Sequence, residues 1–219
     1  METMKLFIKS PNHANNVGSE RDKYVPNPQT TSEKDLQNYF KMGTIMALCI
    51  RCSEVMNFDF PSIFWKYLMR QELQWDDIKS ININIHVCVE KIEKMPEEEL
   101  EYLDESFVTF LLDGSEIELK PNGKNITLTA ENKYEYLSLI KEKNFSQFMP
   151  AFKAIRDGFY MFASPFTFTK FLTPKTFEQR LCGVNYVDIE QLKQITTYGG
   201  FEKTHPAAER FWRVLETFT

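Results

Sequence analysis

The chain has 219 residues, a formal net charge of −5, and 42% apolar and 26% charged side chains. These are the proportions of a folded globular protein and exclude a disordered or low-complexity one. At roughly 100–200 residues per domain it is one large domain or two small ones. A chain of this size can bury about 70–75% of its unfolded surface without help from disulfides or metal. Nineteen phenylalanines stand beside only eight glycines. Neither G-x-G-x-x-G nor G-x-x-x-x-G-K-[ST] occurs, so the dinucleotide fingerprint and the P-loop are both absent.

The charge pattern excludes further classes. Residues 90–105 hold eight acidic and two basic side chains, a net −6, which leaves the rest of the chain at +1. A nucleic-acid-binding protein should show a basic stripe instead. The longest uncharged apolar stretch, Met42–Ile50, falls far short of the roughly 20 residues of a membrane span. The opening METMKLFIKSPN lacks a signal-peptide core. Cys49, Cys52, Cys88 and Cys182 form no dense framework and read as reduced thiols of a cytoplasmic or nuclear protein.

Along the chain, Leu6–Ile8 is expected to be extended, followed by a polar loop to residue 31, mobile or lying against something else. Ser32 predicts a capped helix start, with Asp35 three residues on. Leu36, Phe40, Gly43, Ala47 and Ile50 form one stripe and Tyr39, Met42, Met46 and Cys49 another, which predicts a central helix. Gly43 would let a neighbour approach closely. Phe60-Pro61 opens a second helix with Ile63, Phe64, Tyr67 and Leu68 inside. After Trp75–Lys79, a helix is predicted across Ile85, Val89 and Ile92, spaced i, i+4, i+7. Ser106–Leu112 and Glu116–Leu119 flank Asp113-Gly114, a strong hairpin signal. Thr129 is expected to cap a helix through Tyr136 and Ile140, and another helix covers Met149–Phe162. Thr173-Pro174 to Gly183 carries a cap, a first-turn proline and a terminal glycine. Helices near Asp188–Ile195 and from Pro206 close the chain, the last with Phe211, Leu215 and Phe218 on one face. The fold class is mainly α with a small antiparallel β subdomain, an α+β arrangement.

Local chemistry is sparse. Cys49-x-x-Cys52 has the spacing of half a zinc or redox motif, but it lies within a helix and has no second pair; two packing thiols fit it better. His86 is a lone histidine without a paired carboxylate or cysteine motif, and no Ser-His-Asp or Cys-His signature occurs. No cofactor and no metal site are expected. The acidic run is a solvated face or a surface that steers a basic partner. The stripe Ile85, Val89 and Ile92 is either core or interface.

Taken together, LFIKSPN, YVPNP, FKMGTIMALCIRCSEVMNFDFPSIFWKYLM, FVTF, IELKPNGKNITLTAENKYEYLSLI, FKAIRDGFY, LTPKTFEQRLCG, VDIEQLKQITTYGGF and RFWRVLETF resemble the HECT ubiquitin-ligase domain. The resemblance covers nearly the whole chain and leans toward the HERC-like branch. LKPNGKNITLTAEN followed by FKAIRDGFY and LCG, in that order and spacing, is its most specific part. It implies an amino-terminal lobe over residues 1–183, with a small conjugating-enzyme-binding subdomain at about 80–147. Gly183, Val184 and Asn185 match the hinge, and residues 186–219 match the first helices of the carboxy-terminal lobe.

In this family, ubiquitin passes from a docked conjugating enzyme to a cysteine in a T-C-F motif of the carboxy-terminal lobe, then to a substrate lysine. No T-C-F occurs here, so no catalytic residue is expected in this chain. Cys182, in LCG, matches a structural cysteine and not the nucleophile. The family's opening, a Gly-rich stretch before an R-E-F-F-like helix, is also missing, and both ends read as cut. The family's docking groove falls on Ile85, Val89, Ile92, Val108 and Tyr136, with Ser106 where a larger apolar residue is common. The partners implied are a ubiquitin-conjugating enzyme, ubiquitin and a protein substrate. The alternative is a HECT-like interaction scaffold without catalysis.

Overall fold

A computed structural model of the chain describes residues 5–100, 102–184, 188–200 and 202–217. The chain divides into two compact units, Met1–Cys182 and Gly183–Thr219. The observed class is mainly helical with small antiparallel two-stranded sheets, as expected.

The first unit opens with β1 (Phe7–Lys9), a helical turn α1 (Pro11–Ala14) and β2 (Tyr24–Pro26), the strands pairing antiparallel with Ile8 opposite Val25. The polar loop is thus neither featureless nor loose. Asn12 is fully buried. Its Nδ2 donates to the Lys79 carbonyl at 2.8 Å, and its Oδ1 accepts from the Ile83 N–H at 2.8 Å. The buried Tyr39 phenol donates to the Leu6 carbonyl and shares a 2.7 Å hydrogen bond with Thr30. Asn12 and Tyr39 are thereby satisfied, and their bonds pin the opening segment to the elements around it.

Helix α2 (Glu33–Cys52) starts as predicted: Ser32 Oγ accepts from the Asp35 N–H at 3.2 Å. It buries Tyr39, Gly43, Met46, Ala47 and Cys49, while Ile45 and Leu48 stay exposed. The helix is therefore covered on one side and not all round. Its partner is α7 (Met149–Phe162). A Cβ on Gly43 would stand 1.9 Å from the Ile155 carbonyl oxygen, and one on Gly158 would stand 2.0 Å from that of Phe40. The two backbones touch, and only glycine permits that at both points.

Helix α3 (Ser62–Leu68) follows, with Ile63, Phe64, Trp65, Tyr67 and Leu68 buried. Phe60 packs on Phe64 at 4.4 Å between ring centroids, Phe64 on Phe152 at 5.1 Å, and Phe159 on Phe177 at 5.5 Å. This aromatic lattice is where many of the phenylalanines go, in the tilted and edge-on geometries that aromatic quadrupoles favour. Helices α8 (Pro165–Phe171) and α9 (Pro174–Cys182) complete the unit. The α9 cap is as predicted, the Thr176 N–H donating to Thr173 Oγ1 at 3.1 Å.

A second apolar cluster lies within the first unit. A 3-10 segment, Trp75–Ser80, leads to α4 (Ile83–Lys94), α5 (Glu97–Leu100), the strands β3 (Val108–Phe110) and β4 (Glu116–Glu118), and α6 (Lys133–Ser146). Val89, Ile92, Leu100, Phe107, Leu128, Tyr136, Leu137 and Ile140 form its core. The hairpin turns where expected: Asp113 Oδ1 accepts from the Ser115 N–H at 3.0 Å, and Gly114 has φ +83°. Thr129 does not cap α6. The helix starts at Lys133, and Asn132 Oδ1 instead accepts from the Thr129 N–H at 2.8 Å, closing a turn ahead of the helix. Asparagine favours such local turns, which the propensity reading overlooked.

In the second unit α10 (Ile189–Ile195) is capped by Asp188, whose Oδ1 accepts from the Gln191 N–H at 3.0 Å. In α11 (Pro206–Leu215) Trp212 is buried and donates to the Tyr198 hydroxyl at 2.8 Å, whereas Phe211 is exposed. Phe218 lies outside the described residues.

Gly43→Ala should lower stability by about 3 kcal/mol, because the added methyl drives two helix backbones apart. A fall in the urea midpoint of that size, with an unchanged slope, is the expected reading.

Candidate partner-docking groove

Helix α4 sets the geometry. Asn82 caps it, its Oδ1 accepting from the Ile85 N–H at 3.2 Å, and the Asn12 side chain holds the Ile83 N–H beside it. Ile85, Val89 and Ile92 then follow along one stripe, as helical periodicity requires.

Burial divides that stripe. Val89 and Ile92 are 0% and 2% exposed, and Tyr136 on α6 is 3% exposed. Tyr136 meets Phe107 edge-on at 5.3 Å. Burial, with the nearby Glu105 charge adding to it, pushes its phenol far above the usual range. Ile85 and Val108 are half-buried, and Ser106 is half-buried and bridged to Thr127. Val89, Ile92 and Tyr136 therefore lie in the interior of one cluster and Ile85 packs against it, while Ser106 and Val108 flank its Phe107 in sequence without belonging to it.

Sequence reasoning missed two neighbours. Cys88 and Phe110 are exposed, and they line an open groove of about 520 Å³ together with Ala14, Ile85, Leu111 and Leu112. Phe110 follows Val108 by two residues on β3, so strand periodicity could have found it. The Ala14 wall comes from the opening segment, which no local pattern links to α4. The acidic run is anchored at this end by Leu100, fully buried, while Tyr102 projects at 88% exposure. Lys133 is buried and donates to the Met95 carbonyl at 2.8 Å, holding the end of α4 against α6.

The positions expected to form a hinge divide likewise. Gly183 takes a left-handed φ of +83° and Val184 is exposed. Asn185 lies outside the described residues.

All four cysteines carry unbridged thiols; Cys49 is buried and Cys52 exposed, so the CxxC pair does not converge on a ligand. Cys182 is half-buried, 3.8 Å from the Phe58 carbonyl, and burial pushes its thiol up to about 11. His86 is buried, as a structural histidine would be, but it lies against two carboxylates, Asp76 and Glu90, that no local motif paired with it. Among the described residues, no helix is long and apolar enough to cross a membrane.

Comparison with known proteins agrees with this architecture. The model of the HECT-domain (ubiquitin-transferase) family matches residues 1–219. The chain is 25% identical over 216 residues to the mouse E3 ubiquitin-protein ligase HERC2, covering 98% of this chain and 4% of that protein. It is 27% identical over 203 residues to the human E3 ubiquitin-protein ligase HACE1, covering 90% of this chain and 22% of the relative. It is also similar to the human probable E3 ubiquitin-protein ligase HECTD4, 28% identical over 244 residues, covering 99% and 6%. The chain belongs to the HECT family. It spans less than a quarter of the length of these relatives.

A thiol held near 11 is about a thousandth thiolate at pH 8. In a time course with a disulfide reagent at that pH, Cys52 should react first. Cys182 should lag by about 100-fold, a difference abolished in urea.

Proposed function

We propose that this chain is the conjugating-enzyme-docking part of a HECT ubiquitin ligase. In this reading residues 1–183 are the amino-terminal lobe and the subdomain at about 80–147 receives the conjugating enzyme. Gly183, Val184 and Asn185 act as the hinge, and residues 186–219 begin the lobe that bears the catalytic cysteine. The single observation that carries the docking site is the apolar groove at α4 and β3, with Phe110 exposed on its rim.

The groove assigns different tasks to the predicted residues. Val89, Ile92 and Tyr136 do not line the groove; they belong to the buried cluster on which Ile85 packs. Ile85, Cys88 and Phe110 line the groove and are within a partner's reach. An inserted aromatic or aliphatic side chain would bury apolar area here, and anchors of that kind dominate interface energies. The left-handed Gly183 supports a swivel, since glycine crosses φ space at low cost.

None of the four cysteines stands in a T-C-F motif, and Cys182 is a poor nucleophile by burial. This chain therefore docks a charged conjugating enzyme without itself accepting ubiquitin. The same observation favours the second reading, a HECT-like interaction scaffold. The readings part in the longer gene product: a downstream T-C-F cysteine that forms a ubiquitin thioester marks the ligase.

Binding is tested by titrating a panel of conjugating enzymes against isotopically labelled protein. Residues around Ile85, Val108 and Phe110 are expected to shift, and Phe110→Ala should weaken binding about tenfold. Phe110 is exposed, so its loss leaves the core intact, whereas Tyr136→Ala would cost about 3–5 kcal/mol of folding stability and confuse the result. Unchanged affinity in both Phe110→Ala and Ile85→Glu would reject this groove. A reductant-sensitive ubiquitin adduct on Cys182 would reject the inactivity of the chain.

A further inference from the structure

The ring of His86 takes no part in the groove. It is fully buried and stacks on Trp75 at 5.7 Å with an interplanar angle of 15°. Its Nε2 lies 2.9 Å from Asp76 Oδ1, and the Lys79 ammonium sits 2.9 Å from the same oxygen. Its Nδ1 is sealed from solvent and has no hydrogen-bond partner. That nitrogen faces Glu90 Oε2, one helical turn along α4, across 4.0 Å. Among the described residues Glu90 makes no other ion pair.

In the tautomer whose Nε2–H donates to Asp76, Nδ1 presents a lone pair toward Glu90. Two acceptors then confront each other over a gap too wide for a hydrogen bond. A buried, unmet acceptor of this kind is costly. The gap is about the sum of one metal–nitrogen and one metal–oxygen bond, each roughly 2.0–2.2 Å. Tetrahedral coordination would draw the two atoms to about 3.4 Å, a small movement for the half-exposed Glu90 side chain. Lys79 pairs with Asp76 and also feels the Glu90 charge, though its only ion pair among the described residues is to Asp76. The Asp76–His86 bond has the form found behind metal-ligating histidines, where a carboxylate fixes the tautomer and the ring orientation.

We propose that His86 Nδ1 and Glu90 bind a divalent transition-metal ion of the zinc class, with Asp76 as the positioning carboxylate. One oxygen or nitrogen from each of the three residues lies within 4.8 Å of the others. Imidazole with carboxylate suits zinc, nickel or copper better than calcium or magnesium. Water completes the shell from the solvent side of Glu90. The site is independent of the docking reading. It lies where Trp75 and Ile85 pack against both apolar clusters, so an occupied site ties the 3-10 segment to α4 at that junction.

The test uses the full chain carrying Cys52→Ser and Cys88→Ser, which removes the two exposed thiols. Zn²⁺ is titrated by calorimetry and Ni²⁺ by tryptophan fluorescence. One ion per chain is expected, and the Ni²⁺ quenching should disappear in Trp75→Phe, because Trp75 stacks on the ligand ring. Glu90→Gln and Asp76→Asn should each weaken Zn²⁺ binding by about tenfold or more, with far-ultraviolet circular dichroism unchanged. Three results would overturn the site: no binding, a smaller loss of affinity in Glu90→Gln, or quenching that survives Trp75→Phe.

Discussion

The approach of two backbones at Gly43 and Gly158 governs the first unit. Each glycine faces a carbonyl of the opposite helix, at Ile155 and Phe40. Close-packed interiors transmit such a spacing outward, because they contain no slack to absorb it. With α2 and α7 in backbone contact, Phe152 and Phe159 on α7 reach Phe64 and Phe177 at ring-to-ring distances. A larger residue at either glycine would move that lattice as a body. The chain's low glycine content makes the placement of these two more telling.

Polar groups buried in the same unit are spent on order. Asn12 joins the opening segment to the 3-10 segment and to α4, and Tyr39 joins it to α2. Gln147 accepts from the Leu112 N–H at 2.8 Å and so ties the hairpin to the end of α6. Each bond adds about 1 kcal/mol at most, but the cost of leaving its partner unmet is larger. That asymmetry selects one arrangement of otherwise polar loops. His86 Nδ1 departs from this pattern, as do Ser10 Oγ, Trp75 Nε1 and Thr109 Oγ1, each buried without a hydrogen-bond partner.

The groove shows how a core becomes a surface. One helix stripe supplies both: Val89 and Ile92 are enclosed, and Ile85 is left at the rim. Cys88 lies one residue off the stripe and Phe110 comes from a strand, so the rim mixes two periodicities. Glu105 stands close enough to Cys88 and Tyr136 to raise both groups, after the larger effect of burial. An acidic border of this kind favours a basic partner surface and weakens with salt.

Much was legible in the residues alone. The Ser32 and Thr173 caps, the Asp113-Gly114 turn and the helical stripes are local matters, decided by side chains reaching two to four residues away. The family motifs are likewise linear, and Gly43 advertised a close approach without naming the neighbour. Other features needed the folded chain. Asn132 displaced Thr129 because two turn bonds there compete with a simple cap. Val89, Ile92 and Tyr136 proved enclosed because apolar spacing shows which face is buried but not which layer covers it. Asp76 met His86 because the 3-10 segment folds back on α4. Sequence by itself determined the elements and their inward faces, since these depend on short-range periodicity and capping. The groove's rim, the pinned opening segment and the carboxylates around His86 were decided only by tertiary structure, because each depends on contacts between segments whose separation no local pattern encodes.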